Sequence, residues 1–292
     1  MQTQVPAAIA YLMMNEHSIT ANGVTLCTEA FGDPGNPAVL LIMGACVSML
    51  GWDDRFCRLL VGVGRYVIRY DNRDTGRSVT YELGKPPYTL EDMADDAVGV
   101  LDAYRLEKAH LVGMSLGGMI AQLVAIRQPE RLATLTLIAS SPHGPEDPDL
   151  PPTAEKVRSY FASVGGVDWS NQASVVDFMV RGARVVAGRT RPFDEAAVRS
   201  LVVREMERAS NYTSRGNHAL ISAERWRGRL REIRVPTLVI HGTDDPVLPH
   251  GHGAALANEI PGAGLLTIEG MGHELHAADW DAIVKAILRH TA

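Results

Sequence analysis

The chain has 292 residues, a formal net charge of −6 and a hydrophobic fraction of 46%. This length suffices for one large buried core with room for an inserted subdomain. The negative charge offers nucleic acid no general attraction, and no apolar run approaches the roughly 20 residues that span a bilayer. We therefore expect neither a nucleic acid nor a membrane among its partners.

Two features predict a cytoplasmic protein. The first four residues contain no basic residue, and no clear cleavage site follows the apolar residues 5–14, so we expect no secretory signal peptide. The cysteines are odd in number and lack metal-type spacing, which favours buried thiols over a disulfide framework. They are Cys27, Cys46 and Cys57. We interpret residues 1–16 as an N-terminal extension that is disordered or loosely packed.

From residue 17 onward, strand and helix patterns alternate along the chain. Strand patterns, most of them apolar runs bounded by turn residues, occur at 24–31, 39–43, 66–70, 109–112, 135–139, 237–241 and 265–268. Helical patterns occur at 55–61, 90–104, 119–127 and 280–290. This alternation predicts an α/β fold with right-handed crossovers and a mostly parallel sheet flanked by helices. Ligands bind at the carboxyl ends of the strands in such folds.

One interval, residues 142–234, breaks the alternation. It begins with a loop rich in Pro, Gly and Asp and continues with apolar residues at helical spacing, among them Phe161, Val164, Val175, Phe178 and Met179. We predict a helical cap, or lid, inserted into a core formed by residues 17–141 and 235–292. Its arginines are most simply a solvated face, with recognition of an anionic substrate as the alternative. They include Arg181, Arg184, Arg189, Arg191, Arg225, Arg227 and Arg229.

The pentapeptide Gly-Met-Ser-Leu-Gly at 113–117 lies between a predicted strand and a predicted helix. In that context a G-x-S-x-G serine occupies a sharp turn that exposes its hydroxyl as a nucleophile. The flanking glycines avoid clashes that larger side chains would make in the strained turn. Ser115 is therefore the predicted nucleophile.

A serine nucleophile needs a base, and the base needs an anion that fixes its tautomer. His273 follows a glycine in a loop just after a predicted strand, which favours it as the base over His276, three residues further on. Asp245 leaves a core strand and turns sharply at the next residue, a proline, so we predict that it is the acid. Its rivals are the adjacent Asp244 and two carboxylates after an earlier strand, Asp71 and Asp74. With Asp245 as the acid, the three residues follow one another along the chain in the order Ser, Asp, His.

The third requirement is a pair of backbone donors for the oxyanion that develops on the substrate. The N–H of Leu116, directly after the nucleophile, is the first predicted donor. The second is the N–H of Ala45, in the loop after the strand at 39–43, where Gly44 permits the turn.

Together these residues resemble the α/β-hydrolase superfamily over nearly the whole chain from about residue 17. The likeness is carried by the elbow at 113–118, the turn at 242–246, the pair Gly272-His273 and the cap. The segments 43–52 and 68–78 resemble those of the aclacinomycin methylesterase-like serine esterases, although most superfamily members have His-Gly where this chain has Met43-Gly44. The resemblance implies a triad of Ser115, Asp245 and His273.

The predicted function is hydrolysis of a small-to-medium, partly apolar carboxylic ester through an acyl-enzyme, with no metal and no other cofactor. A largely hydrophobic pocket is expected from apolar cap residues and from the side chains of Met43, Cys46, Trp52 and Met114. The same triad also serves lactonases, cofactor-free perhydrolases and C–C bond hydrolases, so these alternatives stay open. A small-molecule receptor without turnover is a more distant one. We interpret the charged loop 71–77 as scaffolding near the site.

Overall fold

The computed structural model describes residues 16–142 and 148–292. In chain order the strands are β1 (Glu16–Ala21), β2 (Val24–Phe31), β3 (Ala38–Ile42), β4 (Tyr66–Tyr70), β5 (Ala109–Met114), β6 (Leu132–Ile138), β7 (Thr237–Gly242) and β8 (Gly264–Ile268). The α-helices are α1 (Asp54–Val61), α2 (Leu90–Ala103), α3 (Leu116–Arg127), α4 (Glu155–Ala162), α5 (Gln172–Val186), α6 (Glu195–Arg208), α7 (Gly251–Glu259) and α8 (Trp280–His290).

These strands form one eight-stranded sheet in the order β1-β2-β4-β3-β5-β6-β7-β8. The pairs β1–β2 and β2–β4 are antiparallel, and every pair from β4 to β8 is parallel. The prediction of a mostly parallel sheet is confirmed. Because β3 and β5 to β8 run in the same direction, their carboxyl ends meet at one edge of the sheet, and the loops that carry the predicted site start there.

The apolar runs become strands because helices cover both faces of the sheet. All five residues of β3 are buried. Leu40 and Ile42 belong to the core cluster on one face, and Val39 and Leu41 belong to the cluster on the other. Helices α2 and α3 contribute to the first cluster, and α1 and α8 contribute to the second.

The structure adds two elements that the sequence analysis does not predict, β1 and α7. β1 has a polar sequence and lies at the edge of the sheet, where it pairs with β2. It begins at Glu16, so this residue belongs to the sheet and not to the predicted extension; residues 1–15 lie outside the described part of the chain. α7 carries glycines at two of its first three positions, which weaken the helical pattern.

The interval predicted as a cap, for which we keep that name, contains α4, α5 and α6 and returns to the core through 310 turns at Thr213–Ala219 and Arg227–Glu232. Val176 and Val180 of α5 pack on Val202 of α6 in a small apolar cluster. Residues 143–147, within the predicted Pro-rich loop, are outside the described residues.

The expected solvated arginine face of the cap is only partly present. Arg184 is 56% exposed and pairs with Glu195. Arg191, by contrast, is 17% exposed because its guanidinium lies 2.6 Å from the buried carboxylate of Asp279. Ion pairs between cap and core therefore use some of the arginines that the sequence assigns to solvent.

The loop after β4, residues 71–78, joins the cap to the core. The buried carboxylate of Asp71 accepts hydrogen bonds from the N–H groups of Met49 and Arg77 and lies 2.7 Å from the guanidinium of Arg208 at the end of α6. The buried carboxylate of Asp74 accepts a hydrogen bond from the amide of Asn217. These contacts agree with the predicted scaffolding role of the loop.

The cysteines are free thiols, with Cys27 and Cys57 buried and Cys46 partly buried. This confirms the prediction of thiols rather than a disulfide framework. Within residues 16–142 and 148–292, no helix has the length and apolar character required to cross a bilayer.

Candidate active site

Ser115 occupies a sharp turn between β5 and α3, as the sequence predicts. Its backbone has φ 52° and ψ −119°, which is strained for a residue with a side chain, and the residue remains partly exposed. The turn is held by hydrogen bonds from the Ser115 N–H to the Ile138 carbonyl (2.9 Å) and from the Ser140 hydroxyl to the Ser115 carbonyl (2.8 Å).

The flanking glycines are needed because the main chain passes too close for any side chain. A Cβ atom at Gly117 would lie 2.0 Å from the carbonyl oxygen of Ile42 at the end of β3. A Cβ atom at Gly113 would lie 2.2 Å from the carbonyl oxygen of Gly117 itself. The pentapeptide therefore fits a real steric requirement of this turn.

Three predicted side chains form a continuous hydrogen-bonded relay. His273 lies in the loop after β8, and its Nε2 is 3.0 Å from the Ser115 hydroxyl oxygen. Its Nδ1 is 2.7 Å from Oδ2 of Asp245, in the turn after β7. Since a carboxylate can only accept, Nδ1 carries the proton, and the neutral imidazole then presents an unprotonated Nε2 to the serine.

Asp245 is almost fully buried, and its two carboxylate oxygens have different hydrogen-bond partners. Oδ1 accepts hydrogen bonds from the N–H groups of Val247 (2.9 Å) and Leu248 (2.8 Å), while Oδ2 faces His273. Burial acts to raise the pKa of Asp245, but the neighbouring imidazoles of His273 and His241 outweigh it and hold that pKa well below its usual value. Asp245 is therefore a fixed anion beside the imidazole.

The rival residues lie elsewhere. His276 caps the following 310 turn and bonds to the carbonyl of Pro192 (3.0 Å). Asp244 forms an ion pair with the exposed Arg189 of the cap (3.1 Å). Asp71 and Asp74 belong to the loop that anchors the cap, described above. The geometry thus separates the predicted residues from each of their alternatives.

The predicted oxyanion donors are Leu116, which directly follows the serine, and Ala45, which directly follows Gly44. Gly44 abuts the nucleophile so closely that a Cβ atom there would lie 3.2 Å from Cβ of Ser115, and Ala45 follows it in an exposed turn. Leu116 is the first residue of α3, where a helix has no internal acceptor for its N–H. Neither N–H donates a hydrogen bond within the residues that the structure describes.

The four predicted pocket residues have different environments. Met43 and Met114 are buried at the ends of β3 and β5, beside the elbow. Trp52 is fully buried in the core, where its ring lies 5.6 Å from that of Phe56, so the structure gives it a packing role. Cys46 remains partly exposed and lines a small cavity with residues of the cap.

Cap residues that no sequence motif predicts hold the loop of His273. The N–H of His273 donates to the carbonyl of Val186 at the end of α5 (2.9 Å), and the N–H of Gly188 donates to the carboxylate of Glu274 (2.9 Å). Burial raises the pKa of Glu274. Gly188 packs so tightly that a Cβ atom there would lie 2.1 Å from the carbonyl oxygen of Gly270. No motif in the sequence marks these contacts, because they join distant segments.

A metal ion would need several ligating side chains in one place. In residues 16–142 and 148–292, no three His, Cys, Asp or Glu side chains form a group that could hold one.

Comparison with known proteins adds three findings. A family model described as alpha/beta hydrolase fold matches residues 37–278. Rhodomycin D methylesterase DauP of Streptomyces sp. strain C5 is 36% identical over 95% of this chain and 98% of its own length, and DnrP of Streptomyces peucetius matches to the same extent. Among solved structures, an esterase from Exiguobacterium antarcticum has a TM-score of 0.77 over 94% of this chain and 98% of that chain, at 20% identity.

Proposed function

Because the chain belongs to the α/β-hydrolase family, we propose that it is a serine carboxylesterase whose catalytic triad is Ser115, His273 and Asp245. The observation that carries the proposal is the relay itself, with hydrogen bonds of 3.0 Å and 2.7 Å that join the three side chains at the carboxyl edge of the sheet. A hydroxyl next to an unprotonated imidazole nitrogen is the arrangement that activates a serine.

In the acylation step, Oγ of Ser115 attacks the carbonyl carbon of the ester while Nε2 of His273 takes the hydroxyl proton. Asp245 stabilises the imidazolium that forms. The N–H groups of Ala45 and Leu116 donate to the oxyanion of the tetrahedral intermediate; removing one such donor typically costs about 10² to 10³ in rate. His273 then returns the proton to the alkoxide, so that the alcohol leaves and an acyl-serine remains.

In the deacylation step, His273 removes a proton from water, and the hydroxide formed attacks the acyl carbon. The second tetrahedral intermediate collapses with release of the Ser115 oxygen, which regains a proton from His273. The products are one carboxylic acid and one alcohol, and the chain returns to its starting protonation state. The groups that activate the serine and the water all belong to this chain, and the proposed mechanism requires no metal and no organic cofactor.

We propose a methyl ester of a small-to-medium, partly apolar acid as the substrate. Two relatives that match almost the full length of this chain are named methylesterases. The buried Met43 and Met114 beside the elbow supply an apolar environment for the acyl group. We further propose that residues 142–234 form a cap over the site and that the protein is cytoplasmic, which its free thiols support.

The test compares wild type and Ser115→Ala on a set of methyl esters, with acid and methanol quantified by mass spectrometry. We expect the variant to lose at least about 10³-fold in kcat while it keeps its melting temperature. The control variant Ser159→Ala removes a serine hydroxyl from an exposed position of α4 and should retain full activity. Near wild-type turnover by Ser115→Ala would contradict the proposal. Turnover of lactones but not of open esters, with both functional groups kept in one product, would redirect it to a lactonase.

A further inference from the structure

His218 is a buried histidine of the cap that the proposed reaction does not use. It lies in the 310 turn Thr213–Ala219, between α6 and the return of the chain to the core. Its Nδ1 is 2.9 Å from the backbone nitrogen of Cys46, and its Nε2 is 2.7 Å from the carbonyl oxygen of Arg73. One imidazole of the cap therefore bridges two loops of the core.

These contacts fix the protonation state of His218. A carbonyl oxygen only accepts, so Nε2 must carry a proton toward Arg73. A backbone N–H only donates, so Nδ1 must be unprotonated toward Cys46. The ring is thus neutral, in agreement with burial, which lowers the pKa of His218. An imidazolium would place two donors against each other at Cys46.

The bond to Cys46 acts on the turn that carries Ala45. The N–H of Cys46 belongs to the peptide group directly after Ala45, and Cys46 has φ 62°, a left-handed conformation that costs a residue with a side chain about 1 kcal/mol or more. Such a conformation persists only where neighbouring contacts enforce it. The cap supplies two: the nitrogen bond to His218 and a bond from the Cys46 thiol to the Arg215 carbonyl (3.1 Å).

The turn continues into a third cap contact. The N–H and the hydroxyl of Ser48 both donate to the buried carboxylate of Glu205, at 2.9 Å and 2.8 Å. The segment 46–48 is therefore held from the cap side, whereas Gly44 is held against Ser115 from the core side. Ala45 lies between these two anchors, and its own N–H donates no hydrogen bond within the residues that the structure describes.

We propose that His218 is a positioning residue that holds the Ala45 N–H in line with the developing oxyanion. This inference rests on the proposed esterase function, in which Ala45 is an oxyanion donor. It assigns the cap a part in the rate of the chemical step, in addition to any part in enclosing a substrate. Loss of the Cys46 bond would free the turn to leave its left-handed conformation and would misplace the donor.

The test uses two variants that differ in one contact. His218→Asn keeps an oxygen acceptor close to the position of Nδ1, whereas His218→Leu has a similar size and no acceptor; both lose the bond to Arg73. The control variant is His17→Leu, which makes the same substitution at an exposed position of β1. Steady-state ester hydrolysis gives kcat and KM separately, and hydrogen–deuterium exchange of the segment 43–50 reports on the turn without any substrate.

We expect His218→Leu to lower kcat by about 10- to 100-fold with KM changed less than about 3-fold, because the contact acts on transition-state stabilisation. His218→Asn should retain kcat within about 5-fold of wild type, and exchange in 43–50 should be faster in His218→Leu than in His218→Asn. If His218→Leu does not fold, His218→Gln, which keeps a donor toward Arg73, takes its place.

Equal kcat in the Leu and Asn variants, or a loss confined to KM, would overturn the proposal. So would equal exchange of 43–50 in both variants. The proposed esterase function fails by a different result, namely that the wild type hydrolyses no ester. In that case the difference in hydrogen–deuterium exchange of segment 43–50 between the two variants alone decides whether His218 holds the turn.

Discussion

Replacing Asp245 by asparagine should switch the tautomer of His273. Oδ1 of Asp245 accepts two backbone N–H groups, from Val247 and Leu248. The asparagine must keep its carbonyl oxygen there, since an amide NH₂ would face two donors. The NH₂ group then takes the place of Oδ2, 2.7 Å from Nδ1 of His273 in wild type. Nδ1 becomes an acceptor, and the proton moves to Nε2, which can no longer accept the serine proton.

Two costs follow from this switch. Forcing the active tautomer would leave two buried donors facing each other, which costs about 1–3 kcal/mol. The imidazolium formed during catalysis would also lose a charge-assisted hydrogen bond worth about 1.5–3 kcal/mol. The sum of about 2.5–6 kcal/mol corresponds to a loss of roughly 10² to 10⁴ in kcat. The fold should persist because both backbone N–H groups keep their acceptor.

Stopped-flow hydrolysis of a p-nitrophenyl ester measures this loss directly, with melting temperature as the control for folding. Asp244→Asn makes the same substitution one residue earlier, in a side chain that pairs with the exposed Arg189, and should change kcat less than about 3-fold. A folded Asp245→Asn variant within 10-fold of wild type, or an Asp244→Asn variant equally impaired, would refute the reasoning.

Three further predictions use the same structure. His273→Ala should lower kcat by at least about 10³-fold. His276→Ala removes the N-cap of a short 310 turn and a hydrogen bond to the Pro192 carbonyl, and should cost under about 3-fold in ester hydrolysis; the reverse order would move the base to His276. Gly117→Ala should destabilise the fold by more than about 3 kcal/mol in urea unfolding, because its Cβ would lie 2.0 Å from main-chain oxygen. Gly165→Ala, with open space around it, should stay within about 0.5 kcal/mol, and similar values for both would contradict the steric argument. Since the pKa of Asp245 is lowered in the folded state, its stabilising contribution is present above about pH 4 and is lost as the pH falls toward the folded pKa. The gap in unfolding free energy between wild type and Asp245→Asn should therefore narrow from about pH 6 to about pH 3, and a constant gap would be the contrary result.

The sequence predicts the sheet well because its central strands are buried on both faces. β4 and α8 have the predicted bounds, and β3 differs from its prediction by one residue at each end. β1 escapes prediction because an edge strand needs no apolar run; its pairing with β2 defines it. The start of α3 is predicted late because two glycines follow its first residue, and packing against β3 overrides their low helix propensity.

The candidate site is predictable where local geometry restricts residue type. The elbow needs glycines at fixed positions, and the loops that follow β7 and β8 bring Asp245 and His273 to one edge. Trp52 is different: a large apolar residue near a site in sequence fits a pocket and a core equally well, and burial places it in the core. His218 has no local signal, since both of its partners come from distant loops.

The central claim is that Ser115 is the nucleophile, and labelling with a fluorophosphonate followed by peptide mass spectrometry tests it most directly. We expect one adduct, on the peptide that contains Ser115, no adduct in Ser115→Ala, and loss of ester hydrolysis in proportion to labelling. An adduct on another residue, or full ester hydrolysis by protein labelled at Ser115, would contradict it.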